Sequence, residues 1–218
     1  ASRAHKLKSA TFLSSELVLA PGSLTNTLHY DVGFPTGHIG IKSFHVEPVD
    51  SSGRPIPLYE TYLHHWDLFR YVVPKGTGGR SSSSDDDSAM VVRNDGICQG
   101  NILGMHYGSG SETRRTATFL PDPYAIEIGN PEEGFEERWM LAIHAIDTRG
   151  VVDGLGCKEC LSELYNVTVD GGYEGGLKCC EDGGQYMVKL GFQGSNRSVY
   201  LRYTVKWVDW LDGEFLPV

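Results

Sequence analysis

The sequence predicts an all-β protein: two antiparallel β-sandwich halves, jelly-roll-like, packed together with few or no helices. Three observations carry that expectation. Glycine and proline, 27 and 10 of 218 residues, recur between short apolar stretches instead of clustering. Those stretches are rich in β-branched and aromatic residues, which suit a pleated, half-buried surface. No segment of a dozen residues keeps a helical period. Many short strands punctuated by turn formers are the pattern of sandwiches and barrels.

Taken in order, Thr11–Ala20 ends at Pro21-Gly22, and Leu28–Gly33 stops just before Pro35. His38–Val49 opens after Gly37 and closes on Asp50-Ser51-Ser52-Gly53, while Tyr59–Phe69 follows the Pro55 and Pro57 turn. Ile102–Tyr107 lies between Gly100 and Gly108, and Trp139–Ile146 between Gly134 and Gly150. Val199–Trp210 has a period near two. Val199, Leu201, Tyr203, Val205 and Trp207 share one face, with Arg202, Thr204 and Lys206 on the other, which describes a long half-buried strand. The turn-rich stretch Gly129-Asn130-Pro131-Glu132-Glu133-Gly134 divides the chain into an N-terminal half, 1–128, and a C-terminal half, 129–218. Gly76 to Ser88, with Ser81–Ser84 and Asp85–Asp87, is too polar to bury and reads as a solvated loop in preference to a calcium site. No internal repeat is found.

Acidic residues outnumber basic ones 28 to 19, a net charge of −9. That sign repels phosphate, so nucleic acid and anionic membrane are not expected partners. No apolar run approaches the roughly 20 residues of a membrane helix. Ala1 to Ala10 is polar and basic, so the chain reads as either cytosolic or an already processed mature form. Two features favour a secreted protein, placed in the extracellular space, cell wall or vacuole. Asn166-Val167-Thr168 and Asn196-Arg197-Ser198 are N-glycosylation acceptor patterns. Of five cysteines, Cys157, Cys160, Cys179 and Cys180 suit two disulfides pinning a glycine-rich loop, with Cys98 left over. The connectivity stays open. Their spacing is a poor fit to a zinc knuckle, and no thioredoxin-like context surrounds the C-x-x-C pair.

The histidines carry the chemistry. His64 and His65 are adjacent in the apolar run Tyr62-Leu63-His64-His65-Trp66, and His106 stands in Gly104-Met105-His106-Tyr107-Gly108. Burying imidazoles is costly unless their nitrogens find partners. A metal satisfies several at once, and three neutral imidazoles hold copper or zinc without carboxylates. Adjacent residues on a flat strand point to opposite faces, so the pair can share a metal only where the strand is bulged or twisted. Otherwise one binds and its neighbour packs, or all three are separately satisfied core histidines. His144, alone in Leu141-Ala142-Ile143-His144-Ala145-Ile146-Asp147, reads first as a core histidine. His38 and His45 fall on opposite strand faces, while His5 and His29 default to the surface. No nucleophile elbow, phosphate loop, dinucleotide fingerprint or His-Glu-x-x-His motif occurs. The 11 tyrosines and 4 tryptophans leave open a carbohydrate-binding platform.

Phe34-Pro35-Thr36-Gly37-His38-Ile39-Gly40-Ile41-Lys42-Ser43-Phe44, Pro57 to Trp66, Cys98-Gln99-Gly100, Glu137 to Leu155 and Tyr200 to Trp210 resemble the plant stress up-regulated Nod family. The resemblance covers most of the chain and implies a secreted plant protein. A more distant similarity is to the copper type II, ascorbate-dependent monooxygenases, which are two β-sandwich domains with one copper in each. It implies a first copper on His64, His65 and His106. It also implies a second site in which His144 matches the first residue of a His-X-His motif, Ile146 stands where the second histidine belongs, and Met187 is the available thioether. The resemblance therefore implies one surviving copper site, redox-active toward ascorbate or phenols, and an incomplete oxygen-activating site. Zinc is the alternative metal, and a seed or stress storage role is compatible with the same site.

Overall fold

A computed structural model describes residues 6–79, 90–91, 106–110, 117–152 and 186–218. The strands in chain order are β1 (Lys8–Leu13), β2 (Leu17–Leu19), β3 (Leu24–His29), β4 (Ile39–Val49), β5 (Thr61–Pro74), β6 (Met90–Val91), β7 (His106–Gly110), β8 (Thr118–Phe119), β9 (Tyr124–Ile128), β10 (Phe135–Asp147), β11 (Arg197–Asp209) and β12 (Leu216–Pro217). Among the described residues the sole helical element is a 3-10 turn at Trp210–Asp212, so the all-β class holds.

Two sheets form. The seven-stranded sheet runs β1-β11-β4-β9-β12, with β2 also on β11 and β8 also on β4. The five-stranded sheet runs β3-β10-β5-β6, with β7 also on β5. All pairings are antiparallel except β12 with β9. The residue 128/129 boundary falls between β9 and β10. Strands from both sides of it share each sheet, with β10 and β11 bonded to earlier strands on either flank.

The core lies between the sheets. β11 turns Val199, Leu201, Tyr203 and Val205 inward, and β10 turns Trp139, Leu141, Ile143 and Ala145 toward them. Aromatic rings fill the middle. Phe44 stacks on Trp66 from the opposite sheet at 5.1 Å between centroids, and Phe34 lies on Trp139 at 3.8 Å. Burying such side chains supplies about 1.5–3 kcal/mol each, enough to make the alternation of β10 and β11 the main determinant of register. Trp207 keeps its expected inward face, partly buried.

Each sheet carries a break in register. Between β4 and β11, Lys206 pairs with Ser43 and Trp207 with Ile41, so Lys42 is the extra residue. Its ammonium is buried against the Asp122 carboxylate at 2.9 Å and the Tyr124 carbonyl at 2.5 Å. The second break, between β5 and β10, builds the candidate site. The same end of the sandwich is tied across the sheets by Arg197 of β11, which reaches the Glu60 carboxylate at 2.8 Å, the Thr61 hydroxyl and the Asp147 carboxylate.

Candidate metal centre

In the β5–β10 ladder His65 pairs with His144, and the next pair is Leu63 with Ala145. One residue of β10 thus faces two residues of β5, His64 and His65. Leu63 and Trp66 both belong to the core, so neither histidine between them takes the inward face. The bulge cancels the strand's alternation for one step and turns His64, His65 and His144 to the outer face of the five-stranded sheet. The flat-strand objection to a shared ligand set is removed by this local geometry.

The three rings form a nearly equilateral triangle, with centroid separations of 5.1, 4.8 and 4.7 Å. One nitrogen from each lies within 4.8 Å of the others, and His64 and His65 are half-buried while His144 is buried. The His64 and His65 Nδ1 atoms are 2.8 Å apart, so in the neutral pair one N–H donates to the other nitrogen. Two nitrogens at that spacing, each about 2.0 Å from one ion, subtend about 90° at it, whereas tetrahedral ligands would stand about 3.3 Å apart. Ligands opposite each other on such an ion span about 4 Å, so a ring swing of under about 1 Å draws the widest pair together. The His144 pKa is lowered to about 4, first by burial and then by the nearby His64 and His65. His144 is therefore neutral near pH 7, the state in which imidazole ligates a metal.

His64 and His65, expected to act together, and His144, expected apart from them, thus meet in one group. His106 stands on β7 opposite Phe69, while the β7 residue opposite His65 is Gly110. Four residues of strand, about 13 Å, separate those positions; the His106 side chain lies outside the described residues. Met187 is 38% exposed beyond the end of β10, where its carbonyl accepts the Val152 N–H. Partnership of His144 with His65 has no local sequence signal, because it depends on which residue of a distant strand comes to rest opposite. The inward apolar residues of β5 step from Leu63 to Trp66, three positions instead of the two that alternation requires. That slip is the one trace of the bulge in the sequence.

The other histidines are placed singly. His38 bonds the Glu127 carboxylate at 2.6 Å and stacks on Trp210, His29 bonds the Thr27 hydroxyl, and His45 sits opposite Thr204. Asn196 is exposed just before β11. Asn166, the five cysteines, His5 and the serine- and aspartate-rich run lie outside the described residues.

The family model for stress up-regulated Nod 19 matches residues 5–218, and the chain belongs to that family. No curated protein and no solved structure matches it.

Proposed function

We propose that this member of the stress up-regulated Nod family is a secreted metal-binding protein that holds one copper ion on His64, His65 and His144. The observation that carries the reading is the bulge opposite His144, which converges three imidazoles on one face of the sheet. An all-nitrogen donor set suits copper and zinc alike. The 2.8 Å approach of the His64 and His65 Nδ1 atoms is a hydrogen bond of the metal-free pair, and opening it by about 0.5 Å reaches tetrahedral spacing. Copper is therefore preferred on affinity, since divalent copper binds a given nitrogen donor set more tightly than zinc. Three ligands leave coordination positions for solvent or a small molecule. A copper so held would take one electron from an enediol such as ascorbate, or from a phenol, leaving the reductant as its radical and releasing its proton. The role proposed is copper binding with one-electron redox capacity under stress, without a paired oxygen-activating centre.

Plasma mass spectrometry on protein purified without chelators tests this. About one copper per chain is the expected result. One zinc would keep the site and replace redox chemistry with Lewis-acid chemistry. Absence of any metal, together with failure to take up copper on reconstitution, would overturn the reading and bring forward a carbohydrate-binding role.

A further inference from the structure

Beyond the three ligands, the register sets a row of four residues across the five-stranded sheet. Gly110 of β7 pairs with His65, His65 with His144, and His144 with Asn26 of β3. Laterally paired residues project from the same face, with Cβ atoms about 4.5–5.5 Å apart. Asn26 is therefore the side chain flanking His144 on the side away from His65. At the other end of the row Gly110 adds no side chain. Tyr62, 37% exposed, closes a third side with its ring edge-on to His64 at 5.8 Å.

Asparagine is disfavoured inside strands, yet Asn26 occupies the middle of β3 between two threonines. It is exposed, and among the described residues its side-chain amide makes no hydrogen bond. The amide presents an N–H pair beside a site whose three imidazoles would leave a bound divalent ion with its full positive charge. Such a site attracts a small anionic ligand to its open position, and a neutral donor next to it stabilises the anion without competing for the metal.

We propose that Asn26 is a positioning residue for that ligand: its side-chain N–H donates to a small anion bound at the open coordination position of the ion on His64, His65 and His144. This inference rests on the metal-binding reading above. It assigns the class of ligand, a compact anion of a few atoms that accepts a hydrogen bond, and it gives Asn26 no place among the metal ligands.

The test uses the copper-loaded full chain and azide as the probe anion, followed through the visible charge-transfer band and the electron paramagnetic resonance spectrum. Asn26→Ala should keep about one copper per chain and bind azide about tenfold more weakly, the loss of one hydrogen bond to a charged acceptor. Asn26→Asp should weaken azide further by placing a negative charge beside it. Leu28→Ala, two residues along the same strand, should match the native protein. Equal azide affinity in native and Asn26→Ala proteins would overturn the role of Asn26 while leaving the copper site standing. Loss of copper from Asn26→Ala would also overturn it, since Asn26 would then be a ligand. Failure of the native chain to bind copper would remove the metal-binding reading and this inference with it.

Discussion

His144 lies directly opposite His65 in the β5–β10 ladder, and the following pair joins Ala145 to Leu63, so His64 is the residue inserted between them. The bulge lets two consecutive side chains share a face that strand geometry ordinarily divides between them. The core enforces this arrangement. Leu63 and Trp66 are 3% and 6% exposed, and a ladder without the insertion would turn one of them to the outer face.

The composition of the site is open to direct challenge. His144→Ala should weaken copper binding by more than the roughly 10–100-fold that loss of a supporting residue costs. His106→Ala should leave copper content unchanged, since its backbone stands four positions along β7 from the residue facing His65. Metal analysis of the two variants after dialysis checks both expectations. The reverse pattern would move the third ligand to His106.

Stability of the metal-free protein should depend on pH through His144. Its pKa is about 4 in the fold and near 6.5 in an unfolded chain. Between those values the unfolded chain binds a proton that the folded one refuses, so stability falls as pH is lowered through this window. The contribution is fully present above pH ~6.5 and is lost progressively as pH falls toward ~4, a loss on the order of 3 kcal/mol. Urea unfolding of native protein and His144→Gln, both without metal and compared at pH 7.5 and 4.5, should show the smaller loss in the variant. Parallel losses would refute the assignment.

Asp147 is fully buried at the end of β10, with Arg149 at 2.6 Å and Arg197 at 3.5 Å. Removing one partner of a buried ionic group leaves the others uncompensated. Asp147→Asn should therefore destabilise the fold by about 3 kcal/mol, measured from the urea midpoint. Arg197 joins β11 to the start of β5 and the end of β10, so the lost stability should be accompanied by weaker copper retention.

Asn196 should carry an N-linked glycan when the chain passes through a plant secretory pathway. The Arg197 side chain turns inward to Glu60 and Asp147, while Asn196 before it is exposed. Peptide mapping before and after endoglycosidase treatment should find the modified peptide in the native protein. Asn196→Gln and Ser198→Ala should both lack it. An unmodified Asn196 peptide from secreted material would contradict the expectation.

Much of the fold was legible because strand alternation is local. β4 and β11 lie near the limits expected for them, β5 and β10 overlap the stretches expected for them, and β11 has the inward residues that its period of two required. Boundaries were less legible. One expected strand from Thr11 to Ala20 is two strands, β1 and β2, because the chain breaks at Ser14, whose backbone N–H and hydroxyl bond Leu201. β5 continues past Phe69 to Pro74 and β10 starts early at Phe135, because each lends the other a partner over that length.

By itself the sequence determined the all-β class and the family, and it singled out the adjacent histidines as candidate ligands, since composition, alternation and motif are properties of neighbouring residues. Only the tertiary structure decided that β10 lies beside β5 in a register that sets His144 against His65. That register is the sum of inward-facing contacts over the whole ladder, from Phe135 against Pro74 to Asp147 against Thr61. No stretch of chain around His64, His65 or His144 contains that sum, so the third imidazole became visible when the two strands were brought together.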